Sequence, residues 1–304
     1  MIGSDAAASS PRQTKAWAAR TRCGWMQVAL VLMLFVGRDG EMAAAMETAR
    51  STGATLHYAA NHNFDDSGAW RPAAVGFNLA DISDPRQLRD LPVGVKGLIW
   101  VGRCAGADPK FVATMAPYVQ QTNVFGFYLM DDPDPRFGIA QCKPDSLRAE
   151  ADWIHEHVAG ALVFILLMNL SASGTPSFQN SYNPSNSHVD LYGIDPYPCR
   201  SELNGCSDNM IERYVAAAEA WGIPRARMVP VCQSFGGGSW SDGDGGKYLL
   251  PTAAQLRTML ARWRALVPAP VFDFAYSWGV QRGDHALEDE PALRAVVSAY
   301  NAGR

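Results

Sequence analysis

The ten residues Val124–Pro133 (VFGFYLMDDP) decide the fold of this chain. A run that is apolar or aromatic apart from Gly126 has the length and composition of a buried β-strand. Asp131, Asp132 and Pro133 then end it at once. A buried strand that ends in carboxyls is typical of a parallel sheet whose carboxyl-terminal edge carries a functional site. The pattern predicts a strand over Val124–Asp131.

Similar short runs recur on both sides of this stretch. We predict strands over Thr55–Ala59, Val75–Asp81, Gly97–Val101, Leu162–Met168, Val189–Asp195, Met228–Gln233 and Val271–Trp278. Amphipathic helices are predicted between them and after the last, over Pro109–Gln121, Ser146–Val158, Asp208–Trp221, Thr252–Leu266 and Pro291–Tyr300.

Strand–helix alternation over this length predicts a single (β/α)8 TIM-type barrel, in which individual strands or helices can be irregular. Counted from Thr55–Ala59, the strand ending at Asp131 is the fourth, and that ending at Asp195 the sixth. A doubly wound open sheet is the competing fold. No GxGxxG or GxxxxGK[ST] motif follows any strand, which argues against its nucleotide-binding form.

The N-terminus resembles a secretory signal. Basic residues precede the apolar run Trp25–Val36, which is shorter than the roughly 20 residues of a membrane span, and Ala43–Ala45 offers a cleavage site. We therefore expect a signal peptide over 1–45, a barrel catalytic domain over 46–304, and a secreted or periplasmic protein. A retained anchor is the alternative; after signal removal we expect no stable membrane insertion.

Cysteine usage agrees with export. Cys199 and Cys206 flank a short polar loop, and Cys104 and Cys142 each follow a predicted strand on the same barrel face, so both pairs are expected to form disulfides. Cys232, inside an apolar strand, is expected to be a buried free thiol. The alternative is that all five are reduced and buried.

The composition limits the kinds of molecule that this chain is expected to bind. The chain is 48% hydrophobic and 18% charged, with a formal net charge of −4. This is ordinary globular composition, and a weakly acidic surface argues against nucleic acid as a partner. No Cys/His spacing indicates zinc. We expect no cofactor, no metal, a carbohydrate substrate and a monomer.

Polar side chains gather where the predicted strands end, which is the face that carries barrel active sites. Side-chain alternation sharpens the choice between neighbours. If Gly126 and Gly193 face the crowded interior, Asp132 and Asp195 also point over the barrel axis, and Asp131 points towards the helices. A β-bulge would exchange Asp131 and Asp132.

Two carboxyls across a barrel mouth suit glycoside hydrolysis, in which one donates a proton and the other attacks the sugar or activates water. We assign Asp132 as the acid and Asp195 as the base or nucleophile, with Asp131 helping Asp132 to keep its proton. Candidate sugar-binding residues are the rings and polar groups at the strand ends, namely Asn78, Asp81, Trp100, Tyr128, Asn169, Tyr197, Gln233, Trp240, Tyr276 and Trp278.

The stretches GFYLMDDP (126–133), VDLYGIDPYP (189–198) and YSWG (276–279) resemble strand ends of TIM-barrel glycoside hydrolases, in the large clan whose acid/base ends strand four. The resemblance covers roughly residues 75–300 as an architecture. It implies an acid/base at Asp132, where the clan usually has Glu. The clan's nucleophile, a Glu ending strand seven, corresponds here to Gln233, which cannot act as one. Either Asp195 has taken the second role, or the barrel only binds sugar.

Two further interpretations remain open. A secreted, non-catalytic carbohydrate-binding barrel is favoured by Gln233 and opposed by the three aspartates. A calcium or magnesium site is the other, built from Asp131, Asp132, Asp195 and Asp81 or from the Asp242–Asp244 loop.

Overall fold

The computed structural model describes residues 55–136, 141–207, 209–241 and 245–303. The signal peptide predicted over 1–45 lies outside these residues, as do Asp208 and the Asp242–Asp244 stretch. Within the described ranges, no helix is both long and apolar enough to cross a membrane.

Eight parallel strands close into a barrel, which confirms the (β/α)8 TIM-type fold. They are β1 (Leu56–Ala59), β2 (Leu79–Ile82), β3 (Lys96–Trp100), β4 (Val124–Met130), β5 (Leu162–Leu166), β6 (Leu191–Ile194), β9 (Met228–Gln233) and β10 (Phe272–Tyr276). The two strands between β6 and β9, β7 (Cys199–Arg200) and β8 (Gly205–Cys206), pair with each other in a separate small sheet. The order around the barrel is β1-β10-β9-β6-β5-β4-β3-β2. The strands before Asp131 and Asp195 are therefore the fourth and sixth, as expected.

The helices of the outer layer are α1 (Pro85–Arg89), α2 (Pro109–Met115), α3 (Pro144–His157), α4 (Pro184–Ser187), α5 (Asn209–Ala220), α6 (Ala253–Leu266) and α7 (Pro291–Asn301). Capping side chains start several of them: Asp84 accepts from the Arg86 amide at 2.8 Å, and Asp108 from the Phe111 amide at 2.7 Å. The short helices α1 and α4 have no counterpart among the predicted helices.

The buried apolar residues form two layers. One consists of side chains from the strands and the loops next to them, such as Tyr58, Leu98, Phe164 and Phe272, and fills the barrel interior. The other packs the outward faces of the strands against the helices. The rings of Phe164 and Phe272 lie 5.1 Å apart, so the interior is a packed core and ligands have access only at its ends.

Both predicted disulfides are present. Cys104–Cys142 ties the loop after β3 to the loop after β4, and Cys199–Cys206 closes a small antiparallel pair, β7 (Cys199–Arg200) and β8 (Gly205–Cys206). Cys232 is a buried free thiol, as expected. The bridges stabilise loops at the carboxyl-terminal face, where the site was predicted.

Strand β2 is shorter than the predicted strand Val75–Asp81. A 3-10 turn occupies Pro72–Val75, and Gly76 has φ of 83°, a left-handed conformation that ends the turn and delays the strand until Leu79. Asn78 therefore precedes β2 and lies at the amino-terminal end of the barrel, where its Oδ1 accepts from the His57 amide at 2.7 Å.

Strand β4 is irregular on both sides, and the predicted alternation along it is wrong. Its register shifts against β3 between Gly97 and Leu98, and against β5 between Tyr128 and Met130. Phe125 and Tyr128 point into the interior, whereas Leu129 and Met130 pack on the helical side. A Cβ on Gly126 would lie 2.1 Å from the Leu162 carbonyl oxygen, so close approach to the β5 backbone explains this glycine.

Candidate active site at the barrel mouth

Strand β6 follows the predicted alternation. A Cβ on Gly193 would lie 2.5 Å from Leu166 Cδ1 and 2.9 Å from Phe164 Cζ, two interior side chains, so Gly193 faces the interior. Tyr197 also belongs to the interior layer. Asp195 directly follows β6, two residues after Gly193 and two before Tyr197, and its side chain is partly buried.

Strand β4 delivers two carboxyls to the same mouth. Because of its bulge, Asp131 turns inward, and its Oδ1 accepts a hydrogen bond from the Tyr128 hydroxyl at 2.8 Å. The expectation that Asp131 faces the helices is therefore wrong. Asp132 follows with φ of 45°, a left-handed conformation that takes the chain out of the strand direction.

A third strand adds Asp81 beside them. The Asp81 carboxyl accepts from the Asn61 amide at 3.3 Å and from the hydroxyl of the buried Tyr58. Burial, opposed by these hydrogen bonds, raises the pKa of Asp81, and the charge of Asp131 adds to the increase. Asp81 and Asp131 thus lie within electrostatic range across the mouth.

The carboxyls interact strongly. Burial, followed by the charge of Asp131, raises the pKa of Asp132 to about 7, although this side chain keeps solvent-accessible surface at the mouth. Burial and then the charges of Asp132 and Asp131 raise the pKa of Asp195 well above its usual range. Burial also raises the pKa of Asp131, but the Tyr128 hydroxyl opposes this and favours the ionised form. The group therefore holds protons near neutral pH.

Aromatic rings line one side of this mouth. The ring of Tyr197 lies 5.1 Å from Phe235, 5.7 Å from Tyr248 and 5.8 Å from Tyr276, and that of Trp240 lies 5.0 Å from Phe235. Tyr197, Phe235 and Tyr248 are buried, whereas Trp240 and Tyr276 keep exposed surface. The Tyr276 hydroxyl accepts from Asn61 Nδ2 at 3.3 Å.

Trp100 lies at the end of β3, on the far side of the barrel from β9. Its ring is 4.9 Å from that of Tyr128, edge to face, and the residue is 38% exposed. Trp278 differs: it is 3% exposed and packs in the outer layer, 6.3 Å from the ring of Phe77. Trp278 is thus a core residue, and its burial gives no support to the predicted contact with substrate.

Gln233, placed by the resemblance at the clan's nucleophile position, is fully buried. Its Oε1 accepts from the Cys199 amide at 2.8 Å. Its Nε2 donates to the carbonyls of Cys199 at 3.1 Å, Leu249 at 3.1 Å and Phe235 at 3.3 Å. An amide with both groups occupied in this way joins two loops, and the structure gives no support to its predicted role in sugar binding.

The two asparagines predicted to bind sugar are also structural. Asn169 Oδ1 accepts from the amides of Ser171 and Ser177 at 3.2 and 2.9 Å, and its Nδ2 donates to the Ser171 carbonyl and the Tyr214 hydroxyl at 2.8 and 3.2 Å. This bonding shapes the loop after β5. Asn78 lies at the opposite end of the barrel. Neither supports the predicted contact with substrate.

Several mouth residues were missed by the sequence reasoning. Alternation along β1 would have found Tyr58, which points inward beside Asp81. No local pattern signals Phe235, Tyr248 or the buried Arg200, because loops distant in sequence bring them together. Among the described residues, no group of three His, Cys, Asp or Glu side chains is arranged to hold a metal ion.

The fold and this mouth define a closed (β/α)8 barrel with clustered carboxyls and rings at its carboxyl-terminal face. No family model and no curated protein matches the sequence. The fold does match solved structures, and these confirm its resemblance to TIM-barrel glycosidases.

The C-terminal domain of a putative chitinase from Desulfitobacterium hafniense DCB-2 aligns with a TM-score of 0.52 and 11% identity, over 82% of this chain and 99% of that one. The GH18 chitinase ChiB of Flavobacterium johnsoniae gives 0.51 and 10%, over 82% and 94%. A β-galactosidase from the psychrophilic Marinomonas ef1 gives 0.53 and 9%, over 82% and 59%. Likeness at this identity shows a shared fold.

Proposed function

We propose that this protein hydrolyses glycosidic bonds in a poly- or oligosaccharide, with Asp132 donating the proton and Asp195 acting as base or nucleophile. One observation carries the proposal: Asp132 follows β4 and Asp195 follows β6, so both carboxyls lie at the same barrel mouth, where burial and then the charge of Asp132 raise the pKa of Asp195. We refer to them as the Asp132–Asp195 pair. Two interacting carboxyls that share a proton provide the acid and the base that glycoside hydrolysis needs.

Asp131 supports the assignment of Asp132 as the acid. The Tyr128 hydroxyl favours the ionised form of Asp131, and the charge of Asp131 raises the pKa of Asp132. A carboxyl with a pKa of about 7 keeps much of its proton at neutral pH and can give it to the leaving oxygen. Asp131 is therefore proposed to help Asp132 keep its proton.

Asp195 is proposed to act as the base or nucleophile once the Asp132–Asp195 pair has lost one proton. It ends β6, two strand positions from β4, and the ring of Tyr197 follows it. A carboxyl separation of about 5–5.5 Å with substrate bound means retention of configuration, and about 6.5–9.5 Å means inversion. The stereochemistry of the product is thus a direct measure of how the pair acts.

Sugar rings are proposed to stack on the partly exposed rings at the mouth. Trp100 borders the carboxyls on one side through Tyr128, and Trp240 and Tyr276 border them on the other. Asp81, with Tyr58, Tyr128 and Tyr197 behind it, supplies polar atoms at the floor. This revised set replaces Asn78, Asn169, Gln233 and Trp278.

The second candidate function is a sugar-binding barrel without turnover. Gln233 favours it, because the position where the related clan has its nucleophile is occupied by an amide that holds two loops together. The clustered carboxyls at the mouth oppose it, since mutually repelling acids are costly to hold together and binding alone does not need them. Both functions are proposed for a monomeric, exported protein, and the two disulfides support an oxidising compartment.

The test is a screen of the purified protein against polysaccharides, with Asp132→Asn, Asp195→Asn and the control Asp145→Asn. Asp145 is exposed in the first turn of α3 and pairs with Arg148. We expect each mouth variant to lose about 10²–10⁴-fold in hydrolysis while binding is retained, and the control to match the wild type. Wild-type binding without hydrolysis would establish the second candidate function.

A further inference from the structure

Arg200 lies beneath the mouth at the start of the disulfide-closed loop and is 4% exposed. Its Nε donates to the Tyr197 carbonyl at 2.8 Å, and its Nη2 to the Pro196 carbonyl at 3.1 Å. These carbonyls belong to the two residues directly after Asp195. The guanidinium thus holds the backbone segment that carries the Asp195 carboxyl.

The same guanidinium joins three loops of the mouth. Its Nη1 donates to Ser173 Oγ, in the loop after β5, at 2.8 Å. Its carbon lies 5.3 Å from the centre of the Tyr248 ring, in the loop after β9. Glu202 Oε1 is 3.8 Å from Nη1. The Cys199–Cys206 bridge and the bonds from Gln233 to Cys199 hold the residue before it.

We infer that Arg200 is the positioning residue for Asp195: its buried guanidinium fixes the backbone segment after β6 and brings a positive charge that opposes protonation of the Asp195 carboxyl. The inference rests on the proposed function and deepens it, because it states what holds the proposed base or nucleophile in place and favours its ionised form. Arg200 acts through Asp195 and has no assigned contact with substrate.

The charges around Asp195 support this role. Burial, and then the charges of Asp132 and Asp131 after β4, raise the pKa of Asp195, whereas the charge of Arg200 lowers it. Tyr197, Tyr214 of α5 and Tyr248 also face it, and burial together with the charge of Asp195 raises the pKa of each, so all three are neutral at physiological pH. Asp195 thus lies between two acids that favour its protonation and one arginine that opposes it.

The test uses the full chain with Arg200→Gln, Arg200→Lys and the control Arg225→Gln. Arg225 is an exposed arginine that pairs with Glu219. The midpoint of Asp195 is measured by NMR titration of ¹³C-labelled aspartate side chains, assigned with Asp195→Asn. We expect Arg200→Gln to raise this midpoint by about one pH unit and to move the acidic limb of the hydrolysis profile equally, with kcat falling about tenfold at neutral pH.

Arg200→Lys retains the charge, so its midpoint should stay near the wild-type value, as should that of Arg225→Gln. An unchanged midpoint in folded Arg200→Gln overturns the inference, and so does a lysine variant that shifts as far as the glutamine variant. If Arg200→Gln does not fold, Arg200→Lys carries the test, and a shift of about one unit there overturns the inference. The titration needs no turnover, so failure of the hydrolase proposal is recorded separately by the polysaccharide screen.

Discussion

The hydroxyl of Tyr128 donates a hydrogen bond to Asp131 Oδ1 at 2.8 Å, three residues further along the chain. In a regular strand, residues at this spacing point to opposite faces. The contact exists because β4 bulges against β5 between Tyr128 and Met130. One extra residue therefore brings Asp131 into the mouth and determines which carboxyl of the Asp131–Asp132 pair has a fixed partner.

Tyr128→Phe should raise the pKa of Asp131, because the hydroxyl that favours its ionised form is removed. Protonation of Asp131 removes a charge that raises the pKa of Asp195, so the acidic limb of the pH–rate profile should move to lower pH, and stability should fall by about 1 kcal/mol. The control is Tyr192→Phe, which removes a buried hydroxyl bonded to the Val189 carbonyl on the outer face. Equal profiles for the two variants would mean that the Tyr128–Asp131 bond does not affect the reaction.

Asp132→Asn should stabilise the protein at alkaline pH. A folded-state pKa of about 7, above the ordinary value of 3.8, means that the unfolded chain loses its proton first as pH rises. The wild type thus loses stability between about pH 4 and pH 7, and asparagine avoids this loss. Thermal melts should show a Tm higher by about 2 °C or more at pH 8 and little difference at pH 4.

The same melts on Asp145→Asn supply the control, since that carboxyl is exposed on α3. A stabilisation of Asp132→Asn that is equal at both pH values would contradict the raised pKa, because an effect of packing alone does not depend on proton uptake.

Trp100→Ala should weaken substrate binding with little loss of stability, because the indole is exposed at the mouth and stacks only edge-on with Tyr128. We expect KM to rise by about tenfold, equivalent to ~1.4 kcal/mol, with a smaller change in kcat. Val93→Ala removes another exposed apolar side chain, away from the strand ends, and serves as the control. An unchanged KM in Trp100→Ala would exclude this ring as a sugar platform.

Gln233→Glu should not create a nucleophile. The carboxylate would lose the Nε2 donor and face three carbonyl oxygens in a fully buried position. We expect a loss of at least about 2 kcal/mol in chemical denaturation, deepening as pH rises and the carboxyl must ionise, with no gain in hydrolysis.

Gln255→Glu is the matched control, because the oxygen of this partly exposed side chain accepts from the Thr252 amide and hydroxyl at the start of α6. Glutamate serves equally well in such a capping box. A stable Gln233→Glu variant with increased turnover would show that Gln233 occupies a catalytic position after all.

Local patterns in the sequence were enough for the barrel. Alternating apolar strands and amphipathic helices predicted the (β/α)8 fold, the numbering of the strands before Asp131 and Asp195, and the disulfide partners, since each depends on neighbours along the chain or on the common face of strand ends. They also predicted which residues of β6 face the interior. The alternation holds from Gly193 to Tyr197 because β6 has no bulge against either neighbouring strand.

What only the tertiary structure decided are the contacts between distant segments. The register of β4 against β3 and β5 turned Asp131 inward. Because β2 begins only at Leu79, Asn78 lies at the amino-terminal end of the barrel, away from the mouth. Loop-to-loop bonding occupied Gln233, and helix packing buried Trp278. A strand's composition determines that it is buried. Which way each side chain points, and whether its polar atoms are free, depends on hydrogen bonds to partners that lie dozens of residues away.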